Sequence, residues 1–409
     1  MLKLLLIALI FAVARAYTLG GGVRGVFPNQ MDQLSQRSQM NTRRSPTALF
    51  DKLGVQAGAS PNIKLLGTGS CTPQTYISNS DLESVVETSD EWILSRTGIG
   101  GRRVLLDGGE ETLVTLGVGS GRKALEMSGI DGEDIDLVIN CCSSPDDLFG
   151  DATSISASLG CHNAVAFDLT AACSGFLFGV VTATNFMSSP HTSARPVKNV
   201  LVIGSDALSR WVDWEDRNSC ILFGDGSGAM VMSSDPKYIG DQQSSADTGI
   251  LGYSMHSDGR GHKELKCETD SKPVPIATPG DGLNLSKGGY KDISMNGKKV
   301  YAFATREVPN VLNEAMEASG VTTEDVDHLL LHQANIRIME TVAKRLGVPM
   351  EKVVTNLKKY GNTSAGSIPI ALDEAVREGL IKRGDVIAAA GFGAGLSWGG
   401  AILKWHGPK

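Results

Sequence analysis

The sequence predicts an α/β protein in which two similar halves form one layered sandwich, and two observations carry that expectation. From Asn62 onward, short β-branched runs alternate with glycine-marked turns and helix-period patterns, as when strands and helices share a core. In addition, four segments recur in the same order. Glu133-Asp-Ile-Asp-Leu-Val-Ile-Asn140 is echoed by Glu324-Asp-Val-Asp-His-Leu-Leu-Leu331, and Leu159-Gly160 by Leu346-Gly347. Val200-Leu-Val-Ile-Gly204 is echoed by Val386-Ile-Ala-Ala-Ala390, and FGDGSGAMVM at 223–232 by SWGGAILKW at 397–405. The offsets lie near roughly 190 residues, the mark of a duplicated supersecondary unit.

In chain order, the first sixteen residues, MLKLLLIALIFAVARA, combine Lys3, an apolar run from Leu4 to Val13 and a small-x-small ending at Ala14-Arg15-Ala16. That pattern predicts a signal peptide, and it is too short to span a membrane as a helix. Residues 17–60 hold Arg24, Arg37, Arg43 and Arg44 against only Asp32 and Asp51, an acid-poor, transit-like composition. The two parts together resemble the double address of plastids reached through the secretory route, with the plastid stroma as destination. Secretion with a disordered propeptide is the alternative. Residues 61–240 are expected to form the first half, 241–289 variable connecting loops, and 290–409 the second half.

Composition narrows the function. The 409 residues are 41% hydrophobic and 20% charged, enough for two domain-sized units around a large core. A net charge of −7 with no long basic run argues against general nucleic-acid binding. The seven cysteines (71, 141, 142, 161, 173, 220 and 267) are odd in number and scattered, without zinc-type CxxC pairs, which suits a reducing compartment. Gly117-x-Gly-x-Gly121 lacks the GK[ST] of a phosphate loop and reads as helix. Cys141-Cys142 reads as buried, GDGSG at 224–228 as a core turn, and His191 and residues 266–289 as surface loops.

Three polar residues then stand out. Cys173 lies in DLTAACSGF, between an apolar strand pattern and a glycine-flecked apolar helix pattern. A free cysteine is by frequency a core filler, but a helix N-terminus favours a thiolate. His332 follows the strand HLLL and opens HQANIRI, in the place Cys141 holds in the first half. Asn362, in GNTSAGSIP, falls roughly opposite Cys173 in the duplication, at a second strand-to-helix turn. Such an asparagine is ordinarily a cap or turn residue. The glycine-rich GFGAGLSWGG at 391–400 brings unencumbered backbone N–H groups beside these turns, as an oxyanion hole requires.

TAACSGF, HQANIRI, GNTSAGSIP, GFGAGLSWG, TSDEWILSRTGIGGRR at 88–103 and DRNSCILFGDGSGA at 216–229 together resemble β-ketoacyl-acyl-carrier-protein synthase III of the thiolase superfamily, over about residues 62–406. The resemblance implies a thiolase-like fold, two duplicated βαβαβ-type halves in a layered αβαβα sandwich. It implies Cys173 as the acyl-accepting nucleophile, with His332 and Asn362 polarising the second thioester and the main-chain N–H groups of Cys173 and Ala394 holding an oxyanion. Trp92, Arg96 and Arg217 match positions that grip the adenine and phosphate end of coenzyme A. Phe149 matches a residue lent to the acyl pocket across a homodimer. Arg337, Lys344 and Arg345 on IRIMETVAKRLG would dock the acidic acyl carrier protein, although Ala302 stands where the family has a basic residue and Lys298 and Lys299 lie nearby.

The implied reaction joins acetyl-CoA to malonyl-acyl carrier protein, giving acetoacetyl-acyl carrier protein, CoA and carbon dioxide, and so starts fatty-acid synthesis. The resemblance implies no metal and no resident cofactor, and no stable membrane insertion of the mature chain. A longer or branched acyl-CoA starter is one alternative. A cysteine hydrolase is another, since papain-like proteases share the Cys, His, Asn order, but the CGxCW signature is absent.

Overall fold

Two five-stranded sheets with the same strand order and the same pattern of directions organise the chain. The computed structural model describes residues 62–188, 195–240, 248–275 and 284–407. The two N-terminal segments expected to act as a signal peptide and a transit-like stretch, and His191, lie outside them.

The first sheet uses β1 (Lys64–Cys71), β2 (Leu137–Cys141), β3 (Val165–Leu169), β4 (Asn199–Ala207) and β5 (Asp225–Ser233) in the spatial order β1-β5-β4-β2-β3. The second uses β6 (Ile250–Ser257), β7 (His328–Leu331), β8 (Val353–Val354), β9 (Val386–Gly393) and β10 (Ser397–Lys404) in the order β6-β10-β9-β7-β8. In each sheet the first three strands run antiparallel to their neighbours and the last three are parallel. Leu137 pairs with Val200 as His328 pairs with Ile387, so the two halves share one register.

Helices complete five layers. α2 (Leu113–Ser128) and α3 (Ala152–Ser158) cover the outside of the first sheet; α5 (Gly297–Ser319) and α6 (Ile336–Leu346) cover the outside of the second. α4 (Gly175–Met187) and α7 (Ser367–Arg377) lie between the sheets and touch both. The short α1 (Asp90–Thr97) stands outside these layers. The sequence explains the division. α4 reads GFLFGVVTATNFM, apolar nearly all round, and buries Phe176, Leu177, Val180 and Val181 between two sheets. α6 instead buries one stripe, Ile338, Met339, Val342 and Ala343, and leaves Arg337, Lys344 and Arg345 outside. Phe176 is fully buried, so truncating it to Ala is expected to cost about 3–5 kcal/mol. The glycines at 117 and 121 of α2 admit Ile155 and Leu159 of the neighbouring segment, a packing role in place of a phosphate loop.

Three expectations are corrected. The stretch 241–289 is not all connection: β6 lies within it, so the second half begins near Ile250 and not at 290. The offset between halves is not constant, because a long excursion from Leu208 to Gly224 joins β4 to β5 where β9 turns into β10 through Ala394–Leu396 alone. Finally, Cys173 is not opposite Asn362. The 3-10 turn Ala172–Ser174 leads into α4 as Ser364–Gly366 leads into α7, so Ala365 is the counterpart of Cys173.

Candidate active site

The two turns meet at the centre of the molecule. Both are strained at the residue before the helix entry, with φ 48° at Ala172 and 51° at Ser364, in a region non-glycine residues seldom occupy. Close approach across the halves requires glycine: a Cβ on Gly204 would fall 2.3 Å from Ala365 O, and one on Gly393 would fall 2.8 Å from Cys173 N. Cys173 is thereby set at the first turn of α4 with its backbone N–H against the β9 end.

Cys173 lines two cavities. One, of about 660 Å³, is shared with His332, Asn362, Phe392, Trp92 and Arg96. The other, of about 890 Å³, is walled by Phe178, Leu208, Trp211, Tyr290 and Ile293, with Ala394 beside Cys173. Cys173 thus sits between a cleft that holds His332 and Asn362 and a pocket walled mainly by apolar side chains.

The donors have defined orientations. His332 is 2% exposed, and its Nδ1 lies 2.6 Å from Ser367 Oγ. The Gln333 N–H already donates to that oxygen at 3.4 Å, so the Ser367 hydroxyl hydrogen is free to point at Nδ1. With the Ser367 hydroxyl donating to Nδ1, Nε2–H is the donor that faces the cleft, in a ring packed edge-on against Phe392 at 5.1 Å. Burial brings the His332 pKa down to about 3, so the imidazole is neutral at working pH. Asn362 accepts the Ser364 N–H through Oδ1 at 2.9 Å, leaving Nδ2 as its available donor. Its backbone is clamped between Leu222 O and Gly224 N, at 2.8 and 3.0 Å. Burial pushes the Cys173 thiol up to about 12, while a hydrogen bond from Ser364 Oγ, 3.2 Å from Sγ, works in the opposite direction.

The remaining sequence-predicted residues distribute around this centre. Arg96 and Arg217 place their guanidinium carbons 4.7 and 4.9 Å from the Trp92 ring centroid, a cation–π cluster at the cleft. Arg217 also donates to Glu87 O. Arg337, Lys344 and Arg345 are exposed on α6, which abuts α1 where Arg337 donates to Ser95 O and Asn335 to Arg96 O. Arg345 is partly committed to bracing α5, through Thr305 O at 2.7 Å. Phe149 is 94% exposed. Among the described residues no group of three or more His, Cys, Asp or Glu is arranged to hold a metal ion, and no helix is long and apolar enough to cross a membrane. All seven cysteines are free thiols.

Sequence reasoning did not single out Ser364, Ser367, Gln333 or Asp206. The first three lie inside GNTSAGS and HQAN, so proximity to Asn362 and His332 was the available signal. Asp206 ends β4 in GSDA, and its carboxylate is wholly buried against both halves.

Comparison with known proteins agrees with this geometry. Residues 167–259 match the family model for 3-oxoacyl-[acyl-carrier-protein] synthase III, and 316–405 match the model for its C-terminal part. The chain is 49% identical over 348 residues to β-ketoacyl-[acyl-carrier-protein] synthase III of Microcystis aeruginosa, covering 85% of this chain and 99% of the relative. It is 50% identical over 344 residues to the enzyme of that name from Acaryochloris marina, covering 84% and 98%. Among solved structures, the 3-oxoacyl-[acyl-carrier-protein] synthase III of Aquifex aeolicus superposes with a TM-score of 0.72 at 38% identity, over 84% of this chain and all of that one. The priming β-ketosynthase of the R1128 polyketide pathway superposes with a TM-score of 0.73 at 32% identity, over 87% and 100%.

Proposed function

The chain belongs to the β-ketoacyl-[acyl-carrier-protein] synthase III family, and from that membership we propose that it condenses acetyl-CoA with malonyl-acyl carrier protein through an acyl-Cys173 intermediate. It is an acyltransferase of the decarboxylative condensing type. The observation that carries the residue roles is the placement of Cys173 between an apolar pocket and a cleft holding two neutral donors.

In the first half-reaction the Cys173 thiolate attacks the thioester carbonyl of the acyl-CoA, and CoA leaves as its thiolate. The backbone N–H groups of Cys173 and Ala394 receive the oxyanion. In the second, malonyl-acyl carrier protein occupies the cleft and loses carbon dioxide. The enolate oxygen accepts from His332 Nε2–H and Asn362 Nδ2–H. Both donors are neutral, so neither is acidic enough to quench the carbanion. That carbanion attacks the acyl-Cys173 carbonyl, and collapse of the tetrahedral intermediate frees the thiolate. Trp92, Arg96 and Arg217 bind the nucleotide end of CoA, and the exposed basic face of α6 receives the acidic carrier protein.

A homodimer fits the surface. The edge strand β3 starts at exposed Val165, and Leu148 and Phe149 are 82% and 94% exposed. Leu148 lines the apolar pocket, and in a homodimer Phe149 of the second copy would close it. A second reading keeps the mechanism and lengthens or branches the starter, because a pocket of about 890 Å³ exceeds what two carbons need. Plastid location rests on the composition of residues 1–60 and on the cyanobacterial origin of the two relatives named above, since plastids descend from that lineage.

Intact-mass analysis after incubation with acetyl-, butyryl- and malonyl-CoA tests the reading. One acetyl group added to the wild type and absent from Cys173→Ala supports acetyl priming. Adducts with butyryl-CoA alone move the starter, and no adduct on folded protein overturns acyl-CoA priming.

A further inference from the structure

Arg102, in TGIGGRR, is a buried cation to which the reaction above gives no part. It is fully buried, and every hydrogen-bond partner of its guanidinium is a neutral oxygen. Nη1 donates to Asn79 Oδ1 at 2.9 Å and to Ile77 O at 3.4 Å, and Nη2 donates to Ile221 O at 2.7 Å. Among the described residues Nε has no partner. Burial lowers the Arg102 pKa to about 10, so the group stays charged at neutral pH. A buried charge bonded only to neutral groups, with one N–H left over, is a costly way to fill space. What the fork holds in place is therefore the informative question.

Its two branches reach different parts of the cleft. The first ends on Asn79, itself 1% exposed, whose Nδ2 donates to Asp90 Oδ1 and to Ile99 O, both at 2.8 Å. Asp90 opens α1 and Ile99 follows its C-cap Gly98, so Asn79 ties both ends of the helix that carries Trp92 and Arg96. The second branch holds the Ile221 carbonyl, in the excursion that carries Arg217. The next carbonyl, Leu222 O, accepts the Asn362 N–H at 2.8 Å, and the Gly224 N–H donates to Asn362 O at 3.0 Å. Arg102 fits closely against this junction. A Cβ on Gly224 would fall 3.0 Å from Arg102 Cβ, and one on Gly361 would fall 3.6 Å from it. These glycines adjoin Phe223 and Asn362, which form a bridge between their two segments.

We propose that Arg102 is a positioning residue that sets the CoA grip and the Asn362 donor together. Its first branch fixes α1, and with it the Trp92 ring on which Arg96 and Arg217 stack. Its second branch fixes Ile221–Gly224 against Asn362, and so the direction of Nδ2. A guanidinium can do both because it is planar and presents its donors as a rigid fork, whereas an ammonium is a point charge. Trp92, Arg96, Ile221 and Asn362 line one cleft, so a displaced fork is felt by both substrates. The inference rests on the reading above, in which Trp92, Arg96 and Arg217 grip CoA and Asn362 donates to the enolate.

The test compares Cys173 labelling by acetyl-CoA with labelling by S-acetyl-N-acetylcysteamine, a thioester without the nucleotide, both read by intact mass. Arg102→Lys keeps the charge and loses the fork. It is expected to slow labelling by acetyl-CoA about 10- to 100-fold, the worth of one hydrogen bond to a charged group, and to change the short thioester less than about twofold. Condensation by the acetylated variant at saturating malonyl-acyl carrier protein should fall about tenfold or more, because Asn362 loses its alignment. Asn79→Ala cuts the first branch alone, so it should repeat the loss with acetyl-CoA and leave that condensation near wild type.

Equal slowing with both thioesters would mark a role in folding alone and overturn the proposal, as would wild-type rates in Arg102→Lys. A loss of condensation in Asn79→Ala would overturn the division between branches. If Arg102→Lys does not fold, Arg102→Gln and Asn79→Ala carry the same comparison. Arg217→Ala separates the proposal from the reading beneath it. If Arg217→Ala changes the preference for acetyl-CoA and Arg102→Lys does not, the proposal fails and the grip stands. If neither changes it, the grip is wrong, and condensation by acetylated Arg102→Lys decides the Asn362 branch.

Discussion

The two halves are built alike and equipped differently. At the same strand end the first half has Cys141 and the second His332; at the same helix entry the first has Cys173 and the second Ala365. Where the first half places Asp206, the second has Gly393, without a side chain. The duplicated skeleton supplies two facing turns, and substitution on each turn divides the labour. In the proposed mechanism the first half carries the nucleophile and the second carries the donors for the enolate; the second half also leaves space at Gly393 for the Cys173 backbone.

Making the halves equal at the nucleophile should have the largest effect. Cys173→Ala copies Ala365 into the first half, and acyl transfer should fall at least about 10⁴-fold, as when a covalent nucleophile is removed. Decarboxylation of a malonyl thioester should continue, since His332 and Asn362 remain in place. Loss of both activities in a folded variant would refute the division. The reverse experiment is His332→Ala or Asn362→Ala. Labelling by acetyl-CoA should persist while condensation falls about 10²- to 10³-fold, the usual effect of deleting one preorganised donor.

Gly393→Ala probes the space between the halves. The added Cβ would lie 2.8 Å from Cys173 N and 3.2 Å from its Cβ, so the nucleophile or β9 must shift. Overpacking of this kind costs about 1–3 kcal/mol. Labelling by acetyl-CoA should slow about tenfold or more on a protein that still folds, and unchanged labelling would show that the turn has slack.

How much of this was legible beforehand depends on how local each feature is. Cys173, His332 and Asn362 stand in short motifs at strand-to-helix boundaries, so the sequence could single them out, and the fold brings all three to one cavity. The match of Leu137 with His328 was visible because both strands follow the same acidic turn. Asp206 was not visible near the site, since its place there comes from the Ala365 N–H, more than 150 residues away in the chain. The start of the second half was misplaced because Ile250–Ser257 is a half-exposed edge strand with no regular alternation of burial. The excursion from Leu208 to Gly224 broke the expected offset, and it supplies Arg217 and the wall of the cleft.

The buried groups of the two halves should also limit stability from opposite directions. His332 in the second half stays neutral down to about pH 3, whereas the unfolded chain takes up a proton there below about pH 6.5. The unfolded state then binds more protons, so stability falls on acidification. Cys173 in the first half is held as a thiol up to about 12, whereas an unfolded thiol ionises above about 8.5. There the folded state binds more protons, and stability falls as pH rises. His332→Asn should flatten the acid limb of a plot of Tm against pH, and Cys173→Ala the alkaline limb. Parallel curves for wild type and both variants would contradict these assignments.

The smallest expected effect concerns the outer helices. α3 of the first half reads ATSISAS and carries no charge, whereas α6 presents Arg337, Lys344 and Arg345. If α6 alone receives the carrier protein, reversing one of its charges should weaken that partner and leave the chemistry intact. Lys344 is the residue to change. Arg345 braces α5 and Arg337 reaches α1, so altering either would disturb packing as well as charge. Lys344→Glu should raise the KM for malonyl-acyl carrier protein about three- to tenfold at low salt, an effect of about 1 kcal/mol. The loss should shrink as salt screens the surface, and acetyl-CoA labelling should not change. An unaltered KM at low salt would move the dock away from α6, towards Lys298 and Lys299 at the start of α5.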